Sequence, residues 1–240
     1  MKEQIQAWYH KVKVYCLFSP QPFAQGLSFP KLVFLFVIGC VVGVYYEQLL
    51  TLFNHYMADG SIVWESRRGV IYGPFNPLYG AGVVTMTICL ARKQHPWYII
   101  LLYGALLGGI IEYGVSYLQE FFVGTTSWDY TGYFLEIGGR TTIPFMLVWG
   151  MGGCILTFVI YPFLSNLIEK IPYNLGMIIT KVLVIFLVFD MLISWTAIYR
   201  QTQRRAGRPP YTVIGKIYDE VYTDAYLKHY FPNMRPVRNK

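Results

Sequence analysis

The sequence predicts an all-α, polytopic integral membrane protein: a helical bundle with about five transmembrane helices and amphipathic helices at the termini. Of the 240 residues, 55% are hydrophobic and 14% charged, too few charges to cover a soluble surface of this size. The apolar residues fall into runs of roughly 20, the length that crosses about 30 Å of hydrocarbon at about 1.5 Å per helical residue. Most of the Lys and Arg residues behind the net charge of +7 lie outside those runs. That distribution ties the basicity to topology and anionic membrane lipids rather than to a nucleic-acid partner.

Residues 1–30 form the predicted N-terminal interfacial segment. Ile5, Trp8, Tyr9 and Val12 recur there at helical spacing opposite Lys2, Lys11 and Lys13, the pattern of a short helix on the membrane surface or against the protein. The stretch lacks the continuous apolar core and the small-residue cleavage site of a signal peptide. The transmembrane domain is predicted over 31–199, with spans at about 31–53, 69–91, 96–118, 142–163 and 173–199. The second span begins in RGVIYGPFNPLYGAG, where three glycines and two prolines within twelve residues preclude a continuous helix and predict an unwound or re-entrant start. Residues 200–240 start with the basic linker QTQRRAGRPP. They continue into an expected surface helix with Ile214, Ile217, Tyr218 and Val221 on one face and Asp219, Glu220 and Asp224 on another.

The cysteines Cys16, Cys40, Cys89 and Cys154 are far apart, and His10, His55, His95 and His229 lack i,i+4 spacing. The sequence therefore offers no disulfide framework, no metal site and no cofactor signature. Alternation of the spans instead collects the polar residues at one end: Glu47, Glu65, Arg67, Arg68, the 73–80 run, Glu112, Glu120, Trp128, Asp129, Tyr130, Glu136, Arg140 and Asp190. An ionisable group inside a bilayer costs at least a few kcal/mol unless paired or wet. Glu112 accordingly reads as the carboxylate of a polar cavity, paired with Arg68 or Arg140; the plainer alternative is a carboxylate that marks a helix end. Glu47 reads more simply as headgroup-level chain, and Asp190 as a helix–helix hydrogen-bonding residue. The Gly/Pro run frees backbone N–H and C=O groups of the kind that bind substrates in broken helices, or else makes a tight turn into the second span. The candidate substrate-binding residues are Arg68, Tyr72, Gly73, Pro74, Asn76, Tyr79, Glu112, Trp128, Asp129 and Arg140.

RGVIYGPFNPLYGAG, EYGVSYLQEFF and WDYTGYFLEIGGRTTIPFMLVWG resemble the small multi-pass family described as ABC transporter permeases of the CmpB-like type. The resemblance runs over about 31–171 and is most specific at 72–80, Glu112 and the Trp128-Asp129-Tyr130 triplet; Glu136 stands where the family pattern has Asn. It implies a permease component in the cell membrane. The chain has no G-x-x-x-x-G-K-[ST] loop, so nucleotide hydrolysis would fall to a separate ATPase subunit. About five spans are few for a one-chain pore, which favours a homo-oligomer or a larger complex. Two other functions fit the residues: an enzyme acting on a lipid-linked substrate, with carboxylates and arginines as acid, base and phosphate clamp, or a non-catalytic membrane scaffold.

Overall fold

The computed structural model describes residues 22–91 and 95–237. The interfacial helix expected near the N-terminus lies outside the described residues, as do Arg92 and Lys93. The helices are α1 (Phe29–Asp59), α2 (Pro77–Leu90), α3 (Trp97–Val123), α4 (Ile143–Ile155), α5 (Tyr161–Glu169), α6 (Tyr173–Arg205), α7 (Val213–Val221) and α8 (Asp224–Tyr230). A π-helical turn, Leu156–Ile160, joins α4 to α5. Four stretches are long and apolar enough to cross a membrane: α1, α3, the continuous Ile143–Glu169 helix and α6. The predicted helical membrane bundle is the observed fold, with two changes of detail, at the second span and in the tail.

The first change is the second span. α2 has 14 residues, about 21 Å of helix, short of the about 30 Å of hydrocarbon. The residues ahead of it are not helical. Pro77 occupies the first turn of α2, where its missing N–H costs nothing, and Asn76 caps it by accepting from Leu78 N (3.2 Å). Gly73 adopts φ +75°, a conformation that stops any helix from running through this segment. α2 packs along α1 through small residues: a Cβ on Gly80 would meet Cys40 Sγ at 2.5 Å, and one on Gly43 the Tyr79 ring at 2.1 Å. α2 therefore starts about halfway along α1 and runs back toward the end where α1 begins.

α3 and α4 make the most intimate helix pair. A Cβ on Gly150 would lie 2.4 Å from Leu101 O, and one on Gly104 would lie 3.1 Å from Gly150 Cα, so the backbones touch as small-residue membrane interfaces allow. The π-turn has a local cause. Pro162, at the start of α5, has no N–H to donate, and Tyr161 N bonds Leu156 O, an i→i−5 bond that absorbs the extra residue. At the end opposite the polar loops, Lys31 is fully buried, donating to Ser165 Oγ (2.6 Å) and forming an ion pair with Glu169.

The other end is closed by the chain's own loops and tail. The 124–142 connection holds β1 (Thr125–Thr126), β2 (Glu136–Ile137) and β3 (Thr141–Thr142), the last two paired in a hairpin. Where one amphipathic helix was expected, the tail forms two short ones. Thr223 caps the second by accepting from Tyr226 N (3.2 Å), which ends the first at Val221. The tail then returns to the bundle as β4 (Arg235–Pro236), antiparallel to β1. Tyr222, Leu227 and Phe231 pack with Ile71, Val123, Ala197 and Ile198 into one apolar cluster beneath this cap.

Candidate functional site

α1, α2, α3 and the 124–142 loop bring five polar side chains together at the loop end. Glu112 is 6% exposed on α3; it accepts from Tyr130 Oη (3.0 Å) and from Thr141 Oγ1 (2.6 Å). The Tyr79 hydroxyl, at the start of α2, lies beside the Glu47 carboxylate of α1. Glu47 lies within electrostatic range of Glu112 and Arg67, and Tyr79 within range of Tyr130. Aromatic walls fix both tyrosines: Tyr79 stacks on Trp149 with ring centroids 5.5 Å apart, and Tyr130 stacks on Phe145 at 4.9 Å. Burial, followed by the adjacent Glu112 charge, pushes the Tyr130 hydroxyl well above the usual phenol range, so it stays a donor to Glu112 at any working pH.

The pairing of Glu112 with Arg68 or Arg140 does not form. Glu112, Ser116 and Glu120 recur at i, i+4 and i+8 on one face of α3, and Arg140 sits over the outer two. It donates to Ser116 Oγ (3.0 Å), pairs with Glu120, and lies 5.5 Å from the Tyr117 ring centroid and 5.7 Å from that of Tyr113. Arg68 instead rests over the Tyr230 ring of α8 at 5.3 Å. Glu112 receives two hydroxyl donors and no guanidinium, because Arg140 is taken up by Ser116 and Glu120 and Arg68 by the Tyr230 ring.

The remaining predicted site residues divide between two neighbouring structures. Trp128 Nε1 donates to Arg140 O (2.8 Å), and Asp129 Oδ1 accepts from Thr131 N (2.9 Å) and Thr131 Oγ1 (2.6 Å), so both shape the 124–142 loop that delivers Tyr130. Glu136 accepts from Gly139 N across the turn between β2 and β3. The unwound segment holds the rest. Gly69 N donates to Phe75 O (2.9 Å), enclosing Gly73 and Pro74 in a tight loop. Asn76 N donates to Cys40 O (3.2 Å), and its Nδ2 to Arg67 O (3.2 Å). Ile71 N donates to Ser194 Oγ (2.8 Å) and Tyr72 N to Asp190 Oδ1 (3.1 Å), while the Tyr72 hydroxyl meets that of Tyr222 at 2.9 Å. Tyr79 and Glu112 are thus brought into one cluster; Arg68 and Tyr72 face the tail on the other side of the segment.

Sequence reading passed over Glu47, Tyr130 and Thr141 as site residues, and gave Asp190 and Ser194 no partner. Two signals were present: Glu112-Ser116-Glu120 and Asp190-Ser194 each mark a polar stripe at helical spacing in an otherwise apolar helix. Thr141 and Tyr130 carry no such pattern, since only the folded loop takes them to Glu112.

The fold and these intramembrane carboxylates define a multi-pass helical membrane protein with a polar cluster at one end. A family model described as "Putative ABC-transporter type IV" matches residues 34–195, more than half of the chain, and the chain belongs to that family. No curated protein and no solved structure matches it.

Proposed function

We propose that the chain is the permease component of a transport system in the cell membrane, and that the Glu47–Tyr79 and Glu112–Tyr130 pairs form its substrate-binding site. The observation that carries this reading is the position of Tyr79 at the start of α2, just after the unwound segment, beside Glu47 and within electrostatic range of the Glu112–Tyr130 pair, where the chain itself supplies the hydroxyl groups. Two carboxylates in range of each other and held by neutral hydroxyls suit a polar or cationic substrate group, which would replace the tyrosine donors as it binds. Gly73, Pro74 and Asn76 shape the unwound segment beside this site, with Arg67 in electrostatic range of Glu47, while Arg68 and Tyr72 tie that segment to the tail; Trp128, Asp129 and Arg140 position the loop above the site. Glu112 is buried, so a substrate reaches it when the 124–142 loop swings away, the kind of gating that alternating access requires.

A separate ATPase subunit drives the cycle in this reading, because the chain carries no phosphate-binding loop of its own. Assembly of more than one copy completes the pathway. Residues 1–30 act as an interfacial anchor, 31–199 as the transport bundle and 200–240 as its cap. The test is ATP hydrolysis by the chain reconstituted in proteoliposomes with an ATPase subunit that co-purifies with it from native membranes. Hydrolysis that rises with the permease present and loses that stimulation in Glu112→Gln and Glu47→Gln supports the reading. Stimulation unchanged in both variants overturns the site assignment, and no stimulation by the folded wild-type chain overturns the permease role.

A further inference from the structure

A second binding feature lies outside the polar cluster, at the outer edge of the loop end. A groove of about 450 Å³ opens between the last turns of α6 and the amphipathic α7. Tyr199, Tyr211, Ile214 and Tyr218 form its apolar walls, and Arg200 and Arg208 its basic ones. The two arginines differ in what they have left to offer. Arg200 is committed, with Nε and Nη2 on the Asp219 carboxylate (2.8 and 2.7 Å) and Nη1 on Arg208 O (3.0 Å). Arg208 Nη1 donates to the neutral Gln203 Oε1 (3.1 Å), and no carboxylate among the described residues pairs with it. Its backbone is set by Gly207 at φ +72° on one side and by Pro209 and Pro210 on the other, with Pro210 packed against Gly215 of α7. The guanidinium is held at the rim of the groove by its bond to Gln203.

The apolar side of the groove continues into surface that belongs in hydrocarbon. α7 turns Val213, Ile214, Ile217 and Val221 outward, and the adjoining face of α6 exposes Leu192, Trp195 and Tyr199. Exposed Trp and Tyr at the end of a spanning helix mark the headgroup level of the bilayer. One uncompensated cation at that level, beside an apolar wall continuous with the lipid-facing surface, complements an amphiphile with an anionic head.

We propose that the groove between α6 and α7 is a binding site for an anionic phospholipid, with Arg208 on the headgroup phosphate and Ile214 and Tyr211 against the first acyl carbons. The lipid fixes α7 to the membrane, and with it the tail that caps the loop end. The site is independent of the transport reading.

The experiment uses the full chain purified in detergent, exposed to mixed micelles of phosphatidylglycerol and phosphatidylcholine, with retained lipid quantified by native mass spectrometry. The wild type is expected to retain phosphatidylglycerol preferentially, and Arg208→Gln to lower that preference about fivefold, the worth of one basic side chain at an anionic surface. Lys228→Gln, an exposed tail cation outside the groove, should leave it unchanged. Equal retention of the two lipids by the wild type overturns the proposal, which settles the matter even if the variant misfolds. Equal loss in Lys228→Gln and Arg208→Gln also overturns it, because the effect is then diffuse charge. Full displacement of the lipid by millimolar inorganic phosphate would make the groove a free-anion site and overturn the lipid assignment.

Discussion

Glu112 shows how a carboxylate is tolerated inside an apolar helix. Both its oxygens are satisfied by hydroxyl donors, Tyr130 and Thr141, so replacement by Leu strands two donors rather than removing one charge. Glu112→Leu should destabilise the protein by about 1–3 kcal/mol, the cost of leaving buried polar groups unmade, whereas Glu112→Gln keeps acceptor capacity and should cost less. Thermal unfolding in detergent micelles checks the ranking, and equal midpoints for the two variants would contradict it. Gly43 makes a second test at the same scale. A Cβ there overlaps the Tyr79 ring at 2.1 Å, while one on Gly39 meets the Val83 Cγ2 methyl at 2.9 Å. Gly43→Ala should therefore push Tyr79 off Glu47 and Trp149 and cost about 1–3 kcal/mol, more than Gly39→Ala. A change in Trp149 fluorescence should accompany only the first.

The unwound segment depends on α6 rather than on itself. Its freed N–H groups at Ile71 and Tyr72 find Ser194 and Asp190, one turn apart on that helix. Asp190→Ala should loosen residues 69–76 and speed their amide hydrogen exchange, with the α1–α2 packing retained; unchanged exchange would show that the turn holds by its own loop bonds. The tail is anchored by charge. Hydrogen bonds from Arg200, then from Arg204, hold the Asp219 carboxyl down at about 2 from an ordinary value of 3.8. A depressed folded pKa means that this contribution is complete above about pH 4 and is lost as the pH falls toward about 2. A spin label at Tyr211→Cys should gain mobility over that window. In Asp219→Asn it should be mobile already at neutral pH.

At the scale of the molecule, the order of the elements fixes which loops share a side. Val123 O accepts from Thr202 Oγ1 (2.8 Å) and β1 pairs with β4, so the 124–142 loop and the tail lie at one end, and Lys170 at the other. In a cysteine-depleted background, Thr126→Cys and Arg235→Cys should label from one face of intact cells and Lys170→Cys from the opposite face. Labelling of all three from one side would break the observed topology.

The sequence by itself determined the class of protein, because helix length, apolar runs and the placement of charge are local properties that the bilayer reads directly. It also located the break before α2, since Gly and Pro act on the backbone where they stand. It identified the resemblance to a transporter family, which the family match over residues 34–195 agrees with. Tertiary structure decided the partners. Whether Arg140 meets Glu112 or Glu120 depends on where a 19-residue loop lands on α3, and Lys31 is buried only because Glu169 and Ser165 arrive from a helix far along the chain. Helical spacing also marked the tail as a surface helix, yet it is two helices folded back over the polar end, where Tyr222, Leu227 and Phe231 are buried against Ile71, Val123 and Ile198. Such long-range pairings are set by burial and charge neutralisation in three dimensions, and no local pattern in the chain encodes them.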